Sequence, residues 1–222
     1  MHVINFLDTG LKTYTAMDAL QRELHARIVS GQHPNTCLVF EAESTYTAGR
    51  HTQDHDIIDH SLPIIDTDRA GSITWHGPGQ LVCYPLVNLA APVDVIKYIR
   101  AVEGAVLDTL QNHFDLDVTR IQGRAGVWIG NRKISAIGLK ISQNASLHGI
   151  SLNVNTDPAS AFAGVVPCGI TDATVTSMAE EGVQTILQAV AEPLVAALER
   201  RLEPLLAPKL IQGDANVYDP AG

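Results

Sequence analysis

Three segments of this chain carry apolar side chains at steps of three and four residues, and short apolar runs fill the intervals between them. Spacing of that kind places the apolar side chains on one face of a helix, so it predicts helices over residues 13–29, 95–114 and 183–203. Asp94 stands where the N-cap of the second helix is expected. Pro193 lies inside the third segment and is expected to kink that helix.

The short apolar runs are the second element of the fold. They are β-branched or aromatic in part and are bounded by glycine, proline or asparagine, which is typical of strands. The predicted strands are Cys37–Glu41, Ser72–His76, Leu81–Val87, Gly126–Ile129, Lys133–Ile141 and Leu147–Val154. Because the sequence contains no internal repeat and no linker, we predict one α/β (α+β) domain over residues 1–222 with a largely buried sheet. The catalytic core is expected over about residues 33–206, and a loose C-terminal tail over 207–222.

The composition indicates a protein of the cytoplasm. No stretch of the chain is apolar for long enough to span a membrane, and the N-terminus lacks the basic and apolar regions of a secretory signal. The three cysteines, Cys37, Cys83 and Cys168, are too few and too scattered to form a disulfide framework. These features predict a cytoplasmic protein with reduced thiols and no membrane partner.

The charge distribution bears on the choice of partners. The net charge is −9, which argues against nucleic acid as a partner, because nucleic-acid-binding domains usually carry a basic field. The stretch from Lys97 to Lys140 departs from that average, since it holds seven of the 15 lysines and arginines and only four acidic residues. It is either a solvated surface or a docking face for an acidic partner.

Four segments hold residues that are poor choices for folding alone. In residues 69–80, three glycines and a proline surround Trp75 and His76, which lets the backbone approach a ligand, although spacing alone favours a Gly-Pro-Gly turn between two strands. In the second and third segments, Lys133 opens an apolar strand and His148 precedes a glycine within another. By themselves these two residues are more often a solvated strand end and a hydrogen-bonded structural histidine.

The fourth segment holds the best candidate for a nucleophile. Cys168 stands in a Pro-Cys-Gly turn, before a short polar stretch that could begin a helical turn. A cysteine at such a terminus ionises more readily than a free thiol, and the thiolate is the nucleophilic form. Cys37 and Cys83 lie inside apolar strands and are interpreted as inert core thiols.

Taken together, the four segments resemble the lipoyl(octanoyl) transferase family in order and nearly in spacing. The matching residues are Arg69–Gln80, Lys133–Gly138, His148–Asn153 and Pro167–Gly169, with Tyr46–Arg50 as an earlier piece. The resemblance covers roughly residues 3–205, and four motifs in order are specific where one would be weak. The chain departs from the family at Ala70, where glycine is usual, and at residues 41–44, where Glu-His-Pro-Pro is usual. If position 70 requires a positive φ, its alanine is strained by about 1 kcal/mol.

The resemblance implies an octanoyl transfer in two steps. The octanoyl group would pass from octanoyl-acyl carrier protein to Cys168 as a thioester, and then to a lysine on a lipoyl domain of a 2-oxoacid dehydrogenase E2 subunit or on the glycine cleavage H protein. Lys133 would stabilise the Cys168 thiolate as an ammonium and, once neutral, take the proton of the incoming amine. His148 and His76 would position these groups. The resemblance implies no metal and no other cofactor.

The same resemblance implies which residues bind the substrate. They are Arg69, Ala70, Gly71, Ser72, Ile73, Thr74, Trp75, His76, Ala136, Ile137, Gly138, Gly149, Ile150 and Ser151. Among them, the apolar Ile73, Trp75, Ile137 and Ile150 would form an acyl tunnel. Burying a seven-carbon tail there would contribute about 5 kcal/mol, at ~0.8 kcal/mol per methylene, which is enough to select medium chains.

The resemblance also implies the fold of biotin and lipoate protein ligases, a mixed sheet with flanking helices on one side plus a smaller sheet. These relatives supply an alternative function, an ATP-dependent lipoate-protein ligase, although the chain has no Walker-type loop. A non-catalytic binder of lipoyl domains is a second alternative, which Cys168 disfavours. A cysteine hydrolase that uses Cys168 with His148 or His76 is a third, but it lacks an obvious orienting Asn or Asp.

Overall fold

The computed structural model describes residues 1–166 and 173–208. In chain order, its strands and helices are β1 (His2–Asn5), α1 (Tyr14–Val29), β2 (Thr36–Phe40), β3 (Thr45–Ala48), β4 (Ile64–Asp66), β5 (Thr74–His76), β6 (Gln80–Leu86), α2 (Val95–Phe114), β7 (Thr119–Ile121), β8 (Arg124–Ile129), β9 (Arg132–Ser142), β10 (Ala145–Asn153), α3 (Pro158–Ala161), β11 (Thr174–Val175) and α4 (Leu187–Leu202). None of the described helices is long and apolar enough to cross a membrane.

The large sheet is built around the hairpin of β9 and β10. Gln143 and Asn144 form the turn between these strands, with φ values of 50° and 59°, the left-handed conformation that a tight two-residue hairpin turn requires. The strands follow the order β1-β2-β6-β10-β9-β8-β7, and β11 pairs with β9. β1 and β11 run parallel to their partners, whereas the pairs of β2 with β6, β6 with β10 and β10 with β9 are antiparallel. The sheet is therefore mixed, as predicted.

Both faces of the large sheet are covered by helices, and the alternation of side chains along β2 shows how. Cys37 and Val39 belong to the core that includes residues of α2 and α4. Leu38 and Phe40 point to the opposite face and belong to the core that includes α1. The unbroken apolar run of this strand thus reflects burial on two faces. The expectation that the helices lie on one side is wrong, because α1 packs opposite α2 and α4.

The small sheet has the order β4-β3-β5, and a turn at residues 77–79 joins it to β6 in the large sheet. Gly79 has a φ of 82°, and a Cβ there would lie 2.7 Å from the backbone carbon of Asn155, so no other residue fits. The Gly79 N–H donates to the Glu41 carboxylate at 2.6 Å. The predicted Gly-Pro-Gly turn between two strands is confirmed, and it carries the chain from one sheet to the other.

The predicted helices agree closely with the observed ones. α1 and α2 lie within one residue of their predicted bounds, and the side chains of Thr13 and Asp94 cap their first turns. α4 begins four residues later than predicted and contains Pro193. The predicted strands correspond to β2, β5, β6, β8, β9 and β10, whereas the sequence pattern does not predict β1, β3, β4, β7 and β11.

Candidate active site

A cavity of about 310 Å³ lies between the loop at residues 69–72 and the strands β9 and β10. Most of the residues predicted to bind substrate line it, together with Lys133; they are Arg69, Ala70, Gly71, Ser72, Thr74, His76, Ala136, Ile137, Gly138, Gly149, Ile150 and Ser151. Segments that are far apart in the sequence therefore meet around one cavity.

Ile73 and Trp75 are not among the residues that line this cavity. Both are buried in the core of the small sheet, with Tyr46. The structure therefore does not place these two residues in the wall of this cavity, and an acyl tunnel that includes them stays a prediction. Ile137 and Ile150 do supply apolar wall.

The loop at residues 69–72 is folded around the guanidinium of Arg69, a side chain that is buried. The guanidinium donates to the carbonyl oxygens of Ser72 at 2.8 Å and Thr47 at 2.6 Å. The Ala70 N–H donates to a carbonyl of β9 at 3.0 Å. The loop is thus fixed to the small sheet by a side chain and to the large sheet by its backbone. Because Arg69 has no carboxylate partner among the described residues, its positive charge remains at the cavity wall.

Two glycines allow the close approach of loop and strands. Gly138 in β9 and Gly149 in β10 are register partners. A Cβ on Gly138 would lie 3.0 Å from Arg69 Cδ, and a Cβ on Gly149 would lie 2.7 Å from Pro85 Cδ. Glycine at these positions lets the loop cross β9 and lets β6 carry a proline against β10.

Ala70, where the resembled family usually has glycine, is not strained. Among the described non-glycine residues, positive φ is found only at Asp115, Gln143, Asn144 and His148. Within the loop, the residue with positive φ is Gly71, at 89°. The expectation of a strained alanine at position 70 is wrong.

Lys133 lies near the start of β9 and is 8% exposed. Its Nζ is 4.7 Å from the ring centre of Trp128, which is also its cross-strand partner in β8. On the other side of β9, Val175 of β11 pairs with Lys133, and the Thr176 N–H donates to the Lys133 carbonyl at 3.0 Å. Pairing on both sides fixes the backbone from which this side chain reaches the cavity.

Cys168, the predicted nucleophile, lies outside the described residues. The described chain before it reaches Val166, whose N–H donates to the carbonyl of Asp56 at 2.8 Å. The described chain after it enters β11, where Val175 pairs with Lys133. The two described flanks of the segment that contains Cys168 therefore lie beside the loop at Asp56 and beside Lys133.

His148 is buried, with both ring nitrogens engaged. Its backbone N–H donates to Gln21 Oε1 at 2.9 Å, so the Gln21 NH₂ group faces His148 Nδ1 at 3.1 Å. Nδ1 therefore accepts, and Nε2–H donates to Asp68 at 2.8 Å. Burial lowers the pKa of His148. The ring is neutral and fixed, and it positions Asp68 rather than accepting a proton from the cavity.

Asp68 immediately precedes the cavity loop and connects it to three elements. Arg22 of α1, Lys140 of β9 and His148 of β10 contact its carboxylate at 2.8–3.0 Å. The hydrogen bond from Arg22 is the largest of the effects that hold the pKa of Asp68 well below its usual range. Asp68 is therefore ionised, and α1 contributes directly to the support of the loop.

His76 differs from His148, because its Nε2 is buried without a partner among the described residues. Its Nδ1 is 2.7 Å from Gln80 Oε1, while the Gln80 NH₂ group donates to Asn153 Oδ1 at 2.9 Å and to the carbonyl of Trp75 at 3.2 Å. These two acceptors fix the Gln80 amide, so Nδ1 carries the proton and Nε2 is a bare acceptor. Burial lowers the pKa of His76 to about 3. Of the two histidines, His76 is the one with a ring nitrogen that has no partner among the described residues, and its side chain lines the cavity.

Cys37 and Cys83 are core thiols, as predicted. Both are buried within the large sheet. The hydrogen bond with Cys37, together with burial, raises the pKa of the Cys83 thiol well above its usual value. Neither thiol resembles an activated nucleophile.

The basic stretch from Lys97 to Lys140 contains more ion pairs than its composition suggests. Arg100 and Arg120 both pair with the buried carboxylate of Glu103, at 2.6 and 3.0 Å. Arg132 pairs with Glu181 at 2.9 Å, and Lys140 with Asp68 at 2.8 Å. These carboxylates offset much of the local positive charge, so the stretch does not form a uniformly basic face.

Sequence reasoning missed four further residues that line the cavity, namely Tyr84, Gly123, Arg124 and Ala125. Gly123, in the turn before β8, and Gly126, within β8, bracket Arg124 and Ala125 and have φ values of 80° and 112°. Two glycines so close to a strand start were the available signal in the sequence. Among the described residues, no three His, Cys, Asp or Glu side chains are grouped so that they could hold a metal ion.

Comparison of the sequence with known proteins gives a consistent result. The lipoyl protein ligase A/B catalytic domain matches residues 13–199. The chain is similar to the octanoyltransferase of Thermobifida fusca, with 46% identity over 81% of each chain. It is also similar to the octanoyltransferase of Acidothermus cellulolyticus, with 43% identity over 93% of each chain.

The solved structures that this fold resembles include lipoate and biotin protein ligases. A lipoate-protein ligase A bound with ATP matches with a TM-score of 0.73 and 15% identity, over 91% of this chain and 85% of that one. An archaeal bipartite lipoate protein ligase, studied with its E2 lipoyl domain from Thermoplasma acidophilum, matches with a TM-score of 0.65 and 14% identity, over 83% of this chain and 79% of that one. The biotin protein ligase from Aquifex aeolicus matches with a TM-score of 0.54 and 17% identity, over 91% of this chain and 69% of that one. At these identities the likeness concerns the fold, and it confirms the predicted biotin/lipoate ligase-like architecture.

Proposed function

The chain belongs to the lipoyl protein ligase A/B catalytic domain family and is an acyltransferase, and from this premise we propose an octanoyl transfer through Cys168. Cys168 takes the octanoyl group from octanoyl-acyl carrier protein and passes it to a lysine of a lipoyl domain. The observation that carries the proposal is the position of Lys133. This buried cation lines the cavity, and the chain that follows Cys168 pairs with its backbone.

In the first step, the Cys168 thiolate attacks the carbonyl carbon of the donor thioester. A carbon–sulfur bond to Cys168 forms, the bond to the pantetheine sulfur breaks, and that sulfur takes up the proton that Cys168 released. The exchange of one thioester for another is nearly balanced in energy, which suits a cysteine as relay. The Lys133 ammonium supports this step by stabilising the thiolate and the negative charge on the thioester oxygen.

In the second step, the lysine amine of the acceptor attacks the acyl-Cys168 carbonyl. A carbon–nitrogen bond forms, the carbon–sulfur bond breaks, and the amine loses a proton that returns to the Cys168 sulfur. Lys133 carries this proton. Neither histidine is assigned this role, because His76 Nε2 is buried and both ring nitrogens of His148 are hydrogen-bonded within the fold.

The proposed acceptors are the lipoyl domains of 2-oxoacid dehydrogenase E2 subunits and the glycine cleavage H protein. The octanoyltransferase relatives and the archaeal lipoate ligase studied with its E2 lipoyl domain support this choice. The apolar wall at Ile137 and Ile150 suits the acyl tail, since each buried methylene contributes ~0.8 kcal/mol.

The test is an intact mass measurement after mixing with octanoyl carrier protein and then with a lipoyl domain. We expect wild type to gain one octanoyl group, to lose it to the lipoyl domain, and to need no ATP. Cys168→Ser should lose transfer to the lipoyl domain. Cys37→Ser is the matched control, because this buried thiol should affect mainly stability. Wild-type transfer rates in Cys168→Ser, or a requirement for ATP, would overturn the proposal.

A further inference from the structure

The ring of Trp128 lies beside two cations of the cavity. Lys133 Nζ is 4.7 Å from its ring centre, and the guanidinium carbon of Arg124 is 5.9 Å from it. Both cations line the cavity, whereas Trp128 itself is 1% exposed and does not line it. A cation within about 6 Å of an indole face is attracted by the ring's electron distribution, most strongly of the aromatic side chains.

The indole is not explained by packing alone. Its Nε1–H is buried and has no partner among the described residues. An unpaired buried donor is destabilising, and a phenylalanine would fill most of the same space without one. What the indole offers over phenylalanine is the stronger attraction of its face for a cation.

The backbone of β8 is shaped to present this ring to Lys133. The β8–β9 register shifts between Val127 and Trp128, which places Trp128 opposite Lys133. Gly126, next to this irregularity, has a φ of 112°, and a Cβ there would lie 2.4 Å from the carbonyl of Ser135. The Gly126 N–H donates to the buried carboxylate of Glu103 in α2 at 3.1 Å. A helix on one face of the sheet therefore fixes the irregularity that places the ring.

We propose that Trp128 is a positioning residue that holds the Lys133 ammonium at the cavity through its indole face; the inference rests on the proposed function, in which Lys133 acts on Cys168. An indole face attracts a cation but carries no net charge. The Trp128 ring therefore attracts the Lys133 ammonium and itself adds no negative charge beside the thiolate.

The first measurement is structural and does not depend on activity. Protons above an aromatic ring are shifted upfield, so the ε-methylene protons of Lys133 should resonate upfield of those of Lys140 in the NMR spectrum of the full chain. Trp128→Phe should keep a reduced upfield shift, and Trp128→Leu should remove it. An ordinary chemical shift for Lys133 in wild type would overturn the inference.

The second measurement tests the consequence for catalysis. Tryptophan analogues with increasing fluorination, incorporated at position 128, weaken the attraction for a cation while they nearly preserve ring size. We expect kcat for octanoyl transfer to fall progressively by about 2- to 30-fold across the series, with KM for the lipoyl domain little changed. Fluorinated phenylalanine at Phe114, a partly buried residue at the end of α2, is the control for a fluorinated ring packed against the core and should leave kcat as in wild type.

The outcomes separate this inference from the proposed function. If Lys133→Ala is inactive but kcat is flat across the fluorinated series, Trp128 has no positioning role and the octanoyl transfer through Lys133 stands. If Lys133→Ala is fully active, the role of Lys133 is lost and the Trp128 inference falls with it. A graded loss of kcat together with the upfield Lys133 resonances supports the inference.

Discussion

Gly149 and Gly138 are partners in the sheet, but the space around them differs. A Cβ at position 149 would lie 2.6 Å from the carbonyl oxygen of Cys83 and 2.7 Å from Pro85 Cδ, so the backbone of β6 would have to move. We expect Gly149→Ala to lower the free energy of unfolding by about 2–3 kcal/mol, because overpacking a rigid sheet forces backbone shifts. Urea denaturation measures this, and an unchanged midpoint would show that β6 yields without cost.

Gly138 faces a loop rather than a strand. A Cβ at this position would meet Arg69 Cδ at 3.0 Å and the carbonyl oxygen of Ala70 at 3.1 Å, and both belong to the loop that lines the cavity. We expect Gly138→Ala to cost less than about 1 kcal/mol of stability, because the loop can move by a few tenths of an ångström. The displaced loop should raise KM for the octanoyl donor severalfold. Steady-state kinetics test this, and a loss of stability equal to that of Gly149→Ala would contradict it.

His76 makes the stability of the fold depend on pH. Its pKa in the folded chain is about 3, against an ordinary value of 6.5. Below pH 6.5 the unfolded chain binds a proton at this residue and the folded chain does not, so stability is lost as the pH falls from about 6.5 towards 3. The loss by pH 5 is about 2 kcal/mol, at 1.36 kcal/mol per pH unit. Unfolding free energies at pH 7.5 and 5 should therefore differ by about 2 kcal/mol more in wild type than in His76→Gln.

The control for this measurement is His113→Gln, which replaces an exposed histidine in the last turn of α2. This variant should keep the wild-type difference between the two pH values. If His76→Gln also keeps it, protonation of His76 does not limit stability in acid. The size of the effect is read from the difference between pH values, so a uniform loss of stability in His76→Gln does not obscure it.

The sequence motifs could predict that Lys133 and His76 belong to the site, but not the state of the histidines. The tautomer of His76 depends on the orientation of the Gln80 amide, which is fixed by acceptors on Asn153 and on the backbone of Trp75. That of His148 depends on Gln21, a helical residue 127 positions away. Such hydrogen bonds depend on the folded geometry, and no local pattern in the sequence encodes them.

At the scale of elements, a buried carboxylate of α2 contacts both β7 and β8. Glu103 is fully buried and pairs with Arg100 and Arg120, and it accepts from the Gly126 N–H. We expect Glu103→Ala to lower the free energy of unfolding by about 2–3 kcal/mol. This is somewhat less than the loss when a fully buried ion pair is broken, because the arginines remain partly exposed and can be solvated. Glu103→Gln should cost less, since its amide oxygen can still accept from Gly126. Denaturant unfolding compares the two variants.

A double-mutant cycle identifies the partner that matters. If Glu103 and Arg120 act as a pair, the cost of Glu103→Ala with Arg120→Ala should be clearly less than the sum of the single costs. Additive costs would mean that the carboxylate acts mainly through the Gly126 N–H. The kcat of Glu103→Ala should fall as well, because the register shift that places Trp128 beside Lys133 depends on this N–H.

The elements that could be predicted are those whose own sequence determines them. α1 and α2 extend over several turns with a capping residue and an apolar face, so their bounds follow from spacing. β7 has three residues and β11 has two, and each becomes a strand only through its partner in the large sheet. Spacing also could not show that α1 packs on the face opposite α2, because both faces of β2 are apolar.

At the scale of the whole molecule, net charge and local charge point in opposite directions. The chain carries −9, so it repels an acidic carrier protein at long range. Composition suggests a basic docking face between Lys97 and Lys140. Four of the cations in this stretch are paired with carboxylates, namely Arg100, Arg120, Arg132 and Lys140. Reversing the charge of Arg120 would therefore test the buried Glu103 pair rather than docking. Arg124 tests docking at the cavity itself, because its side chain lines the cavity.

We expect Arg124→Gln to raise KM for octanoyl-acyl carrier protein severalfold, because the variant loses a cation that faces the incoming acidic donor. Salt screens both the local attraction and the long-range repulsion, over about 10 Å at 0.1 M ionic strength. Added salt should therefore lower KM more in Arg124→Gln, which keeps the repulsion without this attraction, than in the wild type. With an octanoyl thioester of a small neutral thiol as donor, the effect of the substitution should be smaller, because that donor lacks the acidic surface.

Arg27→Gln provides the matched control for this prediction. Arg27 lies on α1, carries an i,i+4 pair with Glu23 at 3.6 Å, and does not line the cavity. It changes the net charge by the same amount as Arg124→Gln, so an effect of total charge would appear equally in both variants. A KM that rises only in Arg124→Gln would place the docking of the carrier at the cavity. An equal rise in KM in the two variants, relative to the wild type, would mean that the field of the whole molecule, rather than Arg124, governs the encounter.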